Sequence, residues 1–300
     1  MISTRSFMGQ TWIDLNSPTK EEADSLVLSQ GIDPSVAKDL LSPTPKQYAK
    51  ESGSAIYAIF HIPSFKHSHS VGLEQEIDFY LTENGLLTAR YDSIDALHHF
   101  AKQLEVNEIL SKDNHSHLFF GLMKEVYEFL FNETDYIKEW MKEIERNIFD
   151  GREKEMVFAI SAASRNLLNF ERIIEPHRTV LASIEDIGKN IFGDKFKKDM
   201  RILSEEWQRL SLEVKSIRGM LDELRETNNS ILSTKQNEIM KTLTILAFIV
   251  VPLATLSQIF GMNVVHTPLV GLPYDFWILI GIMFGMALAM YAFFKYKKWI

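Results

Sequence analysis

The chain has no cysteine among its 300 residues. That excludes a disulfide framework and thiolate chemistry. It carries no GxxxxGK[ST] phosphate loop, and no carboxylate pair or nucleophile arrangement stands out, so an enzyme is not expected. Met1 to Gln10 contain no apolar run of the kind a cleavable signal peptide needs, and none is expected. Positive charge is in deficit: the formal net charge is −8, which argues against nucleic acid as a partner. Proline is absent between Asp199 and Val251, and Gly219 is the only glycine there. Finally, charge itself is missing from Thr242 to Asn263, and Asp275 is the only Asp, Glu, Lys or Arg between Thr242 and Phe294.

What is present begins with two apolar runs. Thr242 to Phe260 is 19 uncharged residues, and Phe276 to Phe294 is 19 more. At ~1.5 Å per residue each helix covers ~28 Å, close to the hydrocarbon core of a bilayer. One buried core helix could run so far without charge; two in the last 60 residues predict two membrane spans. Lys241 flanks the first, Lys295, Lys297 and Lys298 flank the second, and the loop Val264 to Tyr274 has no Lys or Arg. The positive-inside rule then places both long ends in the cytoplasm of an inner (plasma) membrane protein. Trp277, Tyr291 and Trp299 fall where interfacial aromatics belong. Gly281, Gly285 and Ala289 form a small-residue face suited to packing against a neighbouring span.

The first span is not uniformly apolar. Asn237, Lys241, Thr244, Val251, Thr255 and Gln258 follow a 3-4 spacing through Phe248, which puts them on one stripe of a helix. Polar groups are costly against lipid, so this stripe should face protein or water. Interhelical hydrogen bonding is one use for it and an aqueous path another. Two spans cannot enclose such a path, so a pore requires several copies of the chain.

Phe260-Gly261-Met262-Asn263 closes the first span. Upstream stand Asn237-Glu238-Ile239-Met240-Lys241, within it Pro252, and after the second span Lys-Tyr-Lys-Lys-Trp. Together these resemble the GMN signature and its surroundings in the CorA divalent-cation transporter family, and the resemblance runs from Trp12-Ile13-Asp14-Leu15 to Ile300. It implies an α+β cytoplasmic domain, a long helical stalk and two C-terminal membrane helices, assembled as a funnel-shaped homopentamer. It implies a channel for Mg2+, also passing Co2+ or Ni2+, with no organic cofactor. Gly261, Met262 and Asn263 then form the external selectivity mouth. Asn237 marks the cytoplasmic end of the pore, Met240, Leu243 and Val251 supply an apolar constriction, and Thr244 and Gln258 are polar lining, joined by Thr255 of the stripe.

Mg2+ sheds water reluctantly, and a ring of Asn263 carbonyls can accept hydrogen bonds from a still-hydrated ion. Taken singly, Asn263 also fits a helix C-terminus. One departure from the family pattern is the loop Val264 to Gly271, which has no acid where a Met-Pro-Glu segment is common; cation concentration at the mouth should be weaker. His266 leaves room for a softer metal, as in the ZntB-like zinc branch. A two-span signalling receptor is the reading from another class, although the dozen-residue loop is short for a ligand domain. The resemblance further implies closure by intracellular Mg2+ between carboxylates of adjacent cytoplasmic domains. Asp78, Asp199, Glu205 and Glu206 are candidates for that regulatory site, against the alternative of solvated surface acids.

The rest of the chain divides as 1–117 (α+β domain), 118–240 (helical bundle and stalk), 241–263 (first span), 264–274 (loop), 275–294 (second span) and 295–300 (basic tail). Trp12 to Leu15 reads as a short strand. Ser17 N-caps a helix that Gly31 ends, and a second runs from Pro34 to Leu41. Ala55 to Ile62 is β-rich. Ile77, Phe79 and Leu81 alternate with Asp78, Tyr80 and Thr82 as a half-buried strand, and Asn84-Gly85 turns into a return strand, Leu86 to Tyr91. Ile94 to Leu104 is helical. Three helices follow, with breaks at Asp150-Gly151, Pro176 and Gly193. The paired histidines His67/His69, His98/His99 and His115/His117 are expected as solvated loop residues rather than metal ligands. Met200, Leu203, Trp207, Leu210, Val214, Ile217, Leu221, Leu224, Asn228 and Ile231 repeat 3-4-3-4, a coiled-coil-like seam. The helix carrying it is expected from Asp199 to Phe260, 62 residues or ~93 Å.

Overall fold

The computed structural model describes residues 2–7, 9–63, 74–110, 117–262, 268, 269, 271 and 273–299. They form two compact units, 1–225 and 226–300.

The first unit is built on a six-stranded sheet of order β1-β2-β6-β5-β4-β3. The strands are β1 (Ile2–Phe7), β2 (Gln10–Asn16), β3 (Tyr48–Ser52), β4 (Ala55–Pro63), β5 (Glu74–Thr82) and β6 (Gly85–Arg90). All neighbours are antiparallel except β2 and β6. A polar relay links that parallel pair: the Trp12 indole donates to Thr88 Oγ1 (3.0 Å), the Thr88 hydroxyl donates to Asp14 (2.8 Å), and Arg90 pairs with Asp14 (3.1 Å). Gly85 is the residue that lets β2 come close, because a Cβ there would sit 2.1 Å from the Thr11 carbonyl oxygen. The hairpin turn is therefore one residue earlier than expected, at Glu83-Asn84, with Gly85 already paired to Thr82 and Thr11.

Helices cover both sheet faces. α1 (Lys20–Gln30) and α2 (Pro34–Asp39) bring Leu26, Val36 and the following Leu40 onto Tyr57, Ile59 and Tyr80. On the other face Phe60 and Phe79 meet Phe119 of α4 (Leu118–Phe149), and Phe60 meets His177 of α6 (His177–Phe192). β5 is thus buried on both faces rather than half-buried, with Asp78 fully enclosed. Because α4 and α6 pack straight onto the sheet, residue 118 is not a seam between compact units.

Several helix ends follow the expected signals and some do not. α1 is capped by Thr19, not Ser17: Thr19 and Glu22 form a reciprocal capping box, while Ser17 lies at φ 49°. α3 (Asp95–Leu110) is longer than expected; α4 ends at Asp150 and α5 (Glu153–Ile174) stops before Pro176. His117 is buried, not solvated: Nδ1 accepts from Phe119 N–H (3.1 Å) to cap α4, and Nε2 donates to the Thr82 carbonyl (2.8 Å). His98 is exposed, and exposed His99 pairs with Glu125; His67, His69 and His115 lie outside the described residues.

α7 (Asp194–Phe260) is 67 residues, starting before the expected Asp199. Met200, Leu203, Leu210, Val214, Ile217, Leu221 and Asn228 of the seam are buried, and Trp207 donates to the Ile174 carbonyl (2.8 Å). Ion pairs Lys138–Glu213 and Arg218–Glu171 tie it to α4 and α5.

The second unit contains the remainder of α7 and α8 (Asp275–Tyr296). Phe294 of α8 is buried, lies 6.3 Å from Phe248 of α7 and stacks on Trp299. Only 6% of the most apolar stretch of α7, and none of that of α8, is buried. A soluble core helix shows the opposite. Gly281 and Gly285 have nothing within 4 Å of where a Cβ would stand, so the small-residue face of α8 is bare in the single chain.

Candidate functional site

The candidates for the lining of the path, Asn237 to Gln258, all lie in the helical part of the second unit. At ~100° per residue, Asn237, Met240, Thr244, Phe248, Val251, Thr255 and Gln258 fall within a sector of about 80°. All are exposed, with Met240 at 55% and Val251 at 59%. Leu243, also exposed, lies to one side of that sector. From Thr244 onward this face carries no charge, mixes methyl, amide and hydroxyl groups, and stays exposed, with Phe248 near Phe294 of α8.

The hydroxyls are already oriented. Thr244 Oγ1 donates to the Met240 carbonyl (2.7 Å) and Thr255 Oγ1 donates to the Val251 carbonyl (2.9 Å). Each uses its single donor on the turn below, so only oxygen lone pairs remain to face outward. A surface of acceptors suits a species that donates hydrogen bonds, which the water shell of a cation does. Pro252 sits within the helix without ending it.

The helix closes beside the signature. Gly261 N–H donates to Ser257 O (3.0 Å), Met262 N–H to Ile259 O (3.4 Å), and Met262 is exposed. Asn263 and His266 lie outside the described residues. Asp275, the acid nearest the mouth in sequence, is occupied: it accepts from Gly271 N–H (3.1 Å) and Phe276 N–H (2.7 Å) at the start of α8.

The four regulatory candidates are not brought together. Asp78 is enclosed in the sheet, where Tyr57 donates to it (2.9 Å); burial, then the Glu76 charge, holds its carboxyl well above the usual carboxylate range. Glu205 is exposed, Glu206 pairs with Arg209 (3.0 Å), and Asp199 is half-buried on α7. Among the described residues no group of three or more His, Asp or Glu side chains is arranged to hold a metal ion.

Two polar centres that the sequence reading passed over lie inside the first unit. His61 is held between Glu74 on Nδ1 and Glu76 on Nε2 (3.2 Å). Burial acts to lower its pKa, but those two carboxylates outweigh it and the net shift is upward. His177 is fully buried with Nε2 donating to His61 O (2.8 Å) and Nδ1 accepting from Tyr127 (3.2 Å); burial pulls its pKa down to about 4. An isolated His in a helix or strand carries no sequence signal that separates such roles from a surface position.

A family model, the CorA-like Mg2+ transporter protein, matches residues 8–297. The chain belongs to the CorA family. The cobalt/magnesium transport protein CorA of Thermotoga maritima is 24% identical over 293 residues, covering 97% of this chain and 83% of that protein. The complete structure of the CorA magnesium transporter from Methanocaldococcus jannaschii shares the fold with a TM-score of 0.84 at 22% identity, covering 99% of this chain and 94% of that one. The ZntB cytoplasmic domain from Vibrio parahaemolyticus shares it with a TM-score of 0.61 at 11% identity, covering 77% and 89%. The CorA architecture of α+β domain, long helix and two candidate C-terminal membrane helices is therefore that of this chain.

Proposed function

We propose that this protein is a divalent-cation channel of the inner membrane that admits Mg2+, and with it Co2+ or Ni2+, to the cytoplasm. The observation that carries this reading is the exposed stripe that runs without charge from Thr244 to Gln258, with its back-bonded threonines. Mg2+ keeps its waters, so the path must accept hydrogen bonds from a hydrated ion and hold it weakly enough to release it. Threonine lone pairs, the Gln258 amide and, at the mouth, the Gly261-Met262-Asn263 backbone and amide meet that need without fixed charge. Met240 and Val251, with Leu243 beside them, form the apolar constriction that dewets on closure. One chain supplies one wall, so the path is enclosed by a homo-oligomer, a pentamer on the family pattern, with the first spans around the axis.

No nucleotide is needed. A divalent ion gains ~4.6 kcal/mol per 100 mV of inside-negative potential, twice the single-charge value. That supports accumulation on the order of a thousandfold, so closure by intracellular Mg2+ follows as a requirement. Asp199, Glu205 and Glu206, on the cytoplasmic part of α7, are the accessible carboxylates we assign to it in the assembled oligomer.

The test is ion flux into proteoliposomes, wild type beside Asn263→Ala, with Mg2+, Co2+ and Zn2+ and with or without an inside-negative potential. Expected is potential-driven Mg2+ entry that the variant loses and cytoplasmic-side Mg2+ suppresses. Zn2+ entry without Mg2+ entry overturns the Mg2+ assignment in favour of a zinc-type transporter of the same fold. No flux of any ion from an intact oligomer overturns the channel and leaves a two-span receptor.

A further inference from the structure

The end of α8 is built with a lysine where its geometry favours glycine. Tyr296 is the last helical residue and Lys297 caps it. Lys298 then adopts φ 56°, the left-handed region. The turn is nonetheless fully closed. Lys298 N–H donates to Lys295 O (3.1 Å) and Trp299 N–H donates to Phe294 O (3.0 Å). This paired pattern satisfies carbonyls that a helix end leaves open, and its left-handed residue is usually glycine. The apolar contact that accompanies it is also present: Trp299 stacks on Phe294, 5.8 Å between ring centres and 27° between planes.

The closed turn fixes the backbone of this segment. Lys295, Lys297 and Lys298 are exposed and stand within four residues of Trp299, which is 47% exposed. Among the described residues, no carboxylate pairs with any of the three. Membrane orientation alone asks for lysines near a span, not for a strained turn that holds them in place. Below this turn, Phe294 is buried and reaches Phe248, which shares the lining stripe of α7.

We infer that Lys295, Lys297, Lys298 and Trp299 form a binding site for the headgroup of an anionic phospholipid of the cytosolic leaflet. Three ammonium groups match a phosphodiester that carries net charge, and they have no such counterpart in a zwitterionic lipid. Tryptophan supplies the amphipathic ring suited to headgroup depth. The Trp299–Phe294–Phe248 contacts carry occupancy of this site to the lining helix, so transport depends on the anionic lipid. The inference rests on the membrane reading of the two spans, while its primary readout is binding rather than flux.

The full-length protein is placed in nanodiscs of phosphatidylcholine with and without phosphatidylglycerol, and retained lipid is counted by native mass spectrometry. Wild type is expected to retain phosphatidylglycerol over phosphatidylcholine by about tenfold or more. K295Q/K297Q/K298Q is expected to lose that preference, and K189Q/K198Q, in the first unit, to keep it. K298G, which relieves the turn and removes one charge, should fold at least as well as wild type and retain less phosphatidylglycerol. Equal retention of the two lipids by wild type, or an unchanged preference in the triple variant, overturns the site. Displacement by millimolar inorganic phosphate also overturns it, in favour of a soluble anion. Flux absent in every lipid, with the binding preference intact, defeats the channel reading and leaves the lipid site standing.

Discussion

Polar groups in the sheet and polar groups on the first span meet opposite fates. In the first unit Asp14, Thr88, His117 and His177 are buried and each has a partner from the same chain. In the second, Thr244, Thr255 and Gln258 are exposed, and the threonines bond only to their own helix. A buried group without a partner is costly, so these groups of the first region are satisfied from within the chain. The second is complete only when something outside the single chain covers or wets it. Stability therefore resides in the first region, while the proposed function assigns conduction to the second, and substitutions should separate the two.

The largest effect on stability belongs to the sheet. Phe79 is fully buried, edge-on to both Phe60 and Phe119. Phe79→Ala should destabilise the protein by about 3–5 kcal/mol. Denaturant unfolding monitored by near-ultraviolet circular dichroism reads this; a loss under ~1 kcal/mol would mean that Phe79 is not part of a packed core.

Next comes pH. His177 has its pKa lowered to about 4 in the folded state, against about 6.5 when solvated. A lowered histidine pKa means that the unfolded chain binds the proton more tightly. Its contribution is thus fully present above about pH 6.5 and is lost as pH falls toward 4, by roughly 3 kcal/mol in all. Burial shifts His117 in the same direction. Stability measured from pH 7 to 5 should fall more steeply in wild type than in His177→Gln. Equal slopes would show that His177 does not titrate between the two states.

A smaller effect separates two neighbouring residues. Thr19→Ala should cost ~1 kcal/mol, since Thr19 accepts from Glu22 N–H (3.3 Å) in the capping box. Ser17→Ala, at the position that composition favours, should cost less. The reverse order in chemical denaturation would restore Ser17 as the cap.

Much of this organisation is legible in the sequence, and the failures share a cause. Gly31, Gly151, Pro176 and Gly193 fall at helix boundaries because backbone chemistry is local. The spans are legible because lipid demands length and the absence of charge. Asp78 is misread because alternation along β5 records one apolar face, while only the packing of α1 and α2 shows that the other is covered as well. β1 and β3 were passed over as short sheet-edge strands with little apolar alternation. The burial of His117 and His177 is not legible because their partners, Thr82 and His61, lie 35 and 116 residues away. The polar stripe of the first span is legible by period, yet which of its groups can still donate a hydrogen bond is visible only in the structure.

The smallest expected change in stability is therefore the sharpest test of the comparison. Thr255→Val keeps the shape of the side chain and removes an exposed hydroxyl whose only bond is to the turn below. The helix loses one weak internal bond and keeps its β-branching, with a methyl in place of the hydroxyl, so stability in detergent should change by less than ~0.5 kcal/mol. Transport should not be spared. A hydrated ion passing that level meets a methyl group instead of an acceptor in every copy of the chain, and Mg2+ flux should fall by roughly tenfold. Thr242→Val is the matched control: it breaks the same type of bond, Thr242 Oγ1 to Glu238 O (3.0 Å), but lies ~140° from Thr255 around the helix, outside the stripe. Equal flux losses in both would mean that back-bonded hydroxyls serve the helix rather than the ion, and the lining stripe would lose its physical basis.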